Sequence, residues 1–123
     1  MAKILVAEDE RDIRELIQFT LSFAGHTVTA VGDGAAAVAQ AREATPDLIL
    51  MDVRMPRLTG YEACQQMKEI PALSQVPVVF LSAKGQDEEI RAGLDVGAAA
   101  YILKPFSPQD LIDRVGEILK ARG

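Results

Sequence analysis

Cysteine and histidine are nearly missing from this sequence: Cys64 and His26 are the only ones in 123 residues. A single cysteine makes no internal disulfide and no thiolate zinc cage, and such sparing use reads as a reducing compartment. With one thiol and one imidazole, a metal would have to be held mainly by oxygen, which favours hard cations such as magnesium over zinc or copper. Long apolar runs are also missing. Stretches such as Pro77 to Leu81 and Gly97 to Leu103 fall well short of the roughly 18 residues a membrane span requires. Ile4 to Ala7 is too brief for the apolar region of a secretory signal, so the expectation is a cytoplasmic protein with no membrane contact. Positive charge is in deficit: 13 Lys and Arg stand against 18 Asp and Glu, a net charge of -5. Neutralising nucleic-acid phosphates needs clustered Lys and Arg, so direct nucleic-acid binding by this chain is not expected.

What is present is ordinary for a folded protein, with 49% hydrophobic and 25% charged residues. The length suits one domain over residues 1–123, and no repeat, linker or low-complexity block divides it. Short aliphatic runs at Ile4 to Ala7, Val28 to Val31, Leu48 to Met51, Val78 to Leu81 and Tyr101 to Leu103 read as strands. Helical spacing separates them. Ile13, Leu16, Ile17, Thr20, Leu21 and Ala24 predict a first helix whose stripe faces a sheet, with Gly25 as its left-handed stop. Leu111, Ile112, Val115, Ile118 and Leu119 predict a last helix, opened by Ser107, Pro108 and Asp110 in a capping box. Weaker helical segments cover Gly34 to Ala44, Gly60 to Lys68 and Gln86 to Val96. Strands without polar alternation, joined by crossover helices, predict a doubly wound α/β sandwich of parallel strands.

In such a sheet the site lies beyond the carboxyl ends of the strands. There the sequence places Glu8 and Asp9, Asp52, Ser82, and Lys104 followed by Pro105. An order 2-1-3-4-5 makes the first and third strands neighbours, crowding Glu8, Asp9 and Asp52 into one cleft. Like charges about 4 Å apart repel by roughly 4 kcal/mol at an effective dielectric near 20, so the cluster calls for a cation. Magnesium and the Lys104 ammonium both answer that need. Magnesium takes one or two carboxylates and fills its octahedron with water and phosphate oxygens, which is the arrangement of phosphoryl transfer. Lys104 and Ser82 would then contact a transferred phosphoryl group.

The segments Ile4-Leu5-Val6-Ala7-Glu8-Asp9-Glu10, Leu48 to Pro56, Phe80-Leu81-Ser82-Ala83 and Lys104-Pro105-Phe106, in this order and over nearly the whole chain, resemble the receiver domain of bacterial two-component response regulators. The resemblance implies a flavodoxin-like doubly wound (βα)5 sandwich with strand order 2-1-3-4-5. It implies that Asp52 is the phosphoacceptor, taking a phosphoryl group from a sensor histidine kinase or phosphotransfer protein. Magnesium would be held by Asp9, Asp52 and the backbone carbonyl of Arg54, with Glu8 acting partly through water. Lys104 would pair with Asp52 before phosphorylation and with the phosphoryl oxygens afterwards, its amine aimed into the cleft by a cis Lys104-Pro105 bond. Ser82 would reach the phosphoryl group, and Tyr101 would be the switch aromatic that turns inward in response. Gly60 and Met55-Pro56 match architectural positions of the same loop.

The departures carry information too. Ala99 and Ala100 replace an acidic pair common before the switch aromatic, and Arg54 and Lys84 flank the phosphoryl site where the family varies. The connection from Ile70 to Pro77 is more like that of some stand-alone receivers. A downstream protein would dock on the fourth helix, fifth strand and fifth helix, with homodimerisation on phosphorylation left open. Whether an effector domain follows Gly123 is open as well. A haloacid-dehalogenase-type aspartate phosphatase shares the acid, hydroxyl and lysine logic, but it places an acid where Arg54 stands. A flavodoxin-like cofactor binder is disfavoured by Glu8-Asp9-Glu10, a turn hostile to phosphate.

Overall fold

The computed structural model describes residues 2–55, 57–83 and 97–122. Five parallel strands, β1 (Lys3–Ala7), β2 (Thr27–Val31), β3 (Leu48–Asp52), β4 (Val78–Ala83) and β5 (Ala100–Lys104), form one sheet in the order β2-β1-β3-β4-β5. This is the expected topology. Helices α1 (Arg11–Phe23), α2 (Gly34–Glu43) and α3 (Gly60–Lys68) carry the crossovers, and a C-terminal helix runs over Pro108–Arg122. The helix expected at Gln86 to Val96, Lys84 beside it, and Pro56 of the Met55-Pro56 pair lie outside the described residues. No helix among the described residues is long and apolar enough to cross a membrane.

Alternate residues of each inner strand feed two cores. Ile4, Val6, Leu48, Leu50, Val79 and Leu81 point to the face covered by α1 and the C-terminal helix, where Ile17, Leu21, Leu111 and Val115 meet them. Leu5, Ala7, Ile49, Met51, Val78 and Phe80 point to the face covered by α2 and α3. A strand reverses its side-chain direction at every residue, so continuous apolar runs are what covering both faces demands. The strands exceed the predicted runs by one or two residues, because backbone pairing continues where apolar character stops. Asp52 and Lys104 thus end β3 and β5, and Ser82 lies within β4.

Leu16 corrects the expected stripe of α1. It is 45% exposed, and Ala24 is exposed as well, while Ile17, Thr20 and Leu21 are buried. One sheet covers only a limited arc of a helix, and Leu16 falls on the rim of that arc beside the exposed Phe19 and Phe23. The helix ends as expected: Gly25 has φ 100°, and the His26 N–H donates to the Leu21 carbonyl at 3.1 Å. The Ser107 hydroxyl accepts from the Asp110 N–H at 3.1 Å, opening the C-terminal helix.

The loop from β3 to α3 is pressed against its surroundings by two glycines. A Cβ on Gly60 would collide with the backbone carbonyl of Asp52, and one on Gly34 with that of Leu58. A full capping box then starts α3: the Thr59 hydroxyl accepts from the Glu62 N–H, and the Glu62 carboxylate accepts from the Thr59 N–H. The loop is held at a third point by Arg57, which has φ 69° and donates to Asp33 Oδ2 at 3.0 Å. Asp33 meanwhile caps α2 through the Ala36 N–H.

Candidate functional site

Parallel strands put all their carboxyl ends on one edge, and the order β1-β3-β4-β5 lines up Glu8, Asp52, Ser82 and Lys104 there. Carboxylate oxygens of Glu8, Asp9 and Asp52 all lie within 4.8 Å of one another. Glu8 and Asp52 are buried, whereas Asp9 is exposed. Lys104 reaches across the sheet and donates from Nζ to Glu8 Oε1 at 2.8 Å and to Asp52 Oδ2 at 3.2 Å. The Lys104-Pro105 bond is cis.

Glu8 and Asp52 are each held by their own backbone surroundings. The Glu8 N–H donates to the Val31 carbonyl at 3.1 Å, and Glu8 Oε2 accepts from the Glu10 N–H at 3.3 Å. Arg14 Nη1 donates to the Glu8 carbonyl at 2.9 Å. Asp52 Oδ1 accepts from the Arg54 N–H at 3.3 Å, which folds the loop back over the strand end. Arg54 itself is exposed.

Burial pushes the Glu8 carboxyl up to about 7, helped by the shared hydrogen bond and the charge of Asp52 and opposed by Lys104. For Lys104, burial works against the charged form, but its hydrogen bonds and charge pairing with Glu8 and Asp52 outweigh it and hold the ammonium above its ordinary value. With all three acids ionised, three carboxylates against one ammonium leave two negative charges in the cleft. An all-oxygen donor set with that surplus, partly buried and partly open through Asp9, fits a hard divalent cation.

Ser82 is buried beside this cluster on β4, the neighbour of β3. Tyr101, on β5, is half-buried with its ring 5.7 Å from that of Phe80, and Phe80 in turn meets Tyr61 edge-on at 5.1 Å. The sequence-predicted residues therefore gather on one edge, with Tyr101 one layer below the cluster on the α2–α3 face of the sheet.

Sequence reading missed the closeness of Lys104 to Glu8, expecting Asp52 as its partner. It also passed over Arg14. The burial of Glu8 under the sheet edge was the missing information, and sequence types alone do not carry it.

A family model described as the response regulator receiver domain matches residues 4–116. The chain belongs to this family. Among curated proteins the receiver is 39% identical over 118 residues to the alkaline phosphatase synthesis transcriptional regulatory protein PhoP of Bacillus subtilis, covering 96% of this chain and 48% of that protein. It is 36% identical to the probable transcriptional regulator ycf27 of Guillardia theta, covering 96% of this chain and 45% of that one. The chain thus spans about half the length of these relatives. Among solved structures, chemotaxis response regulator CheY4 of Vibrio cholerae superposes with a TM-score of 0.92 at 33% identity, covering 96% of this chain and 98% of that one. The receiver domain of NtrX from Brucella abortus does so with 0.87 at 32% identity, covering 95% and 98%. The receiver is accordingly a phosphorylation-activated signalling module of two-component type.

Proposed function

We propose that Asp52 accepts a phosphoryl group from a phosphohistidine on a sensor histidine kinase or phosphotransfer protein. The observation that carries this reading is the meeting of Asp52 with Lys104, Glu8 and Asp9 at one strand edge. An Asp52 carboxylate oxygen forms the new bond to phosphorus as the bond to the donor imidazole breaks, and the imidazole leaves with a proton in place of phosphorus. Lys104 holds Asp52 in place beforehand and turns its ammonium to the phosphoryl oxygens afterwards. The Ser82 hydroxyl donates to another of those oxygens. Asp9, Asp52 and the Arg54 backbone carbonyl would hold magnesium, with Glu8 contributing partly through water. When bound, the ion supplies charge neutralisation between the carboxylates and the incoming phosphoryl group.

The same contacts operate the switch. Ser82 drawn to the phosphoryl group shifts the end of β4, and Tyr101, packed against Phe80 on the adjoining strand, turns inward. Carrying the population from 1:99 to 99:1 takes about 5.5 kcal/mol, within reach of a few charge-assisted hydrogen bonds. The chemistry is confined to the protein's own phosphorylation and dephosphorylation in the cytoplasm. Residues 1–123 act as one receiver. A downstream protein docks on the expected fourth helix, β5 and the C-terminal helix. A hollow of about 340 Å³ bounded by Tyr101, Leu103, Phe106 and Arg114, with Leu103 39% exposed, supports that choice of face. A second reading, a receiver working within a longer regulator, is favoured by the half-length coverage of its relatives.

Incubation with acetyl phosphate and magnesium, followed by intact mass, tests the central claim. One added phosphoryl group on the wild type and none on Asp52→Asn is expected. Full labelling of Asp52→Asn, or none of the wild type under conditions that label a control receiver, overturns it.

A further inference from the structure

Arg14 belongs to α1, not to a strand end, and none of the chemistry above uses it. Its guanidinium nevertheless donates to the backbone carbonyl of Glu8 at 2.9 Å. The turn from β1 to α1 is otherwise tied through the Glu8 N–H on Val31, the Glu10 N–H on the Glu8 carboxylate and the Arg14 backbone N–H on the Glu10 carbonyl. Of these ties, the guanidinium is the one that grips the peptide group between Glu8 and Asp9. That group is planar, so fixing its carbonyl also fixes the axis from which the Asp9 side chain departs. Space for the guanidinium is provided by a second residue: a Cβ on Gly32, just past β2, would stand only 3.2 Å from Arg14 Nη1.

We propose that Arg14 is a positioning residue for divalent-cation binding, clamping the Glu8 carbonyl so that the Asp9 carboxylate faces those of Glu8 and Asp52. The inference rests on the cation reading given above. Two physical roles for Arg14 predict opposite signs. A bare positive charge beside an acidic cluster repels a cation, so its removal would tighten binding. A clamp orders the ligand, so its removal weakens binding. The hydrogen bond runs to a backbone carbonyl and to none of the carboxylates, which is the arrangement of a clamp.

Calorimetric titration of magnesium into the full chain, well below its melting temperature, separates the two. Arg14→Ala should weaken magnesium binding by about 10-fold, the low end for groups that orient a metal ligand. Arg14→Lys keeps the charge and one donor, and should recover part of the loss. Gly32→Ala, which crowds the guanidinium, should weaken binding less than Arg14→Ala and add nothing in the Arg14→Ala background. Unchanged or tighter binding by Arg14→Ala overturns the proposal, and so does a Gly32→Ala effect that persists without Arg14. Asp9→Asn serves as the reference for a lost ligand. A wild type that binds no magnesium overturns the cation reading and the clamp together, whereas normal wild-type binding with an indifferent Arg14→Ala overturns the clamp alone.

Discussion

The Lys104 ammonium lies 2.8 Å from Glu8 and 3.2 Å from Asp52, so the cation that crosses the sheet is shared between a buried acid and the predicted phosphoacceptor. An internal ammonium and an external divalent ion then compete for the same oxygens. Lys104→Met should tighten magnesium binding several-fold by removing that competitor. It should also lower stability in EDTA by about 1–3 kcal/mol, less than for a fully buried pair because Lys104 retains partial solvent access. Urea denaturation and calorimetry read the two effects. Weaker magnesium binding in this variant would refute the competition.

Burial of Glu8 sets the sign of a pH dependence. The unfolded chain releases this proton near 4.5, and the folded protein keeps it to about 7. Across that window the native state binds more protons, so this group's effect is a fall in stability as pH rises. The full difference is on the order of 3 kcal/mol. Melting temperatures in EDTA should therefore fall less steeply with pH in Glu8→Gln than in the wild type. Magnesium competes with the same proton, so its stabilising effect should grow between about pH 5 and about pH 8. Identical pH profiles for the two proteins would rule this out.

His26 acts in the opposite direction. Its Nδ1 accepts from the Ala2 N–H at 3.2 Å, which requires a bare nitrogen. Burial lowers its pKa below the ordinary 6.5. As pH falls through 6.5 the unfolded chain takes up the proton first, so the contribution is complete above that value and lost as acid is added. Comparing His26→Gln with wild type over this range should show the difference in stability narrowing toward low pH.

Two glycines should respond oppositely to alanine. Gly60→Ala drives a methyl into the backbone carbonyl of Asp52, with rigid chain on both sides, and should cost about 2 kcal/mol or more. Gly116, in the C-terminal helix, has nothing within 4 Å of an added Cβ, so Gly116→Ala should stabilise by about 0.5–1 kcal/mol. Chemical denaturation of both variants checks the pair. Equal effects would mean that the close approach at Gly60 does not constrain the loop.

Much of this molecule was legible because its signals are local. Apolar runs without alternation marked the inner strands, and the turn from Ala24 through Gly25 marked the end of α1. Strand-end polar residues marked the site because a parallel sheet leaves them nowhere else to go. The capping box of α3 was legible but passed over, since Thr59 and Glu62 stand at the required spacing. What stayed hidden depends on distance in three dimensions. Glu8 and Lys104 are separated by 96 positions, and only the stacking of β1, β3, β4 and β5 shows that an amine from one end reaches an acid at the other. Leu16 failed for a related reason, because periodicity gives the axis of a helical stripe but not its width.

The row of rings from Tyr61 through Phe80 to Tyr101 has a practical corollary. The chain has no tryptophan, and these are its only tyrosines, so its tyrosine emission, unmasked by any indole, comes from two phenols on either side of one phenylalanine. A ring rotation at Tyr101 alters the surroundings of one emitter directly and of the other through Phe80. The molecule thus carries its own optical reporter, with no label to attach.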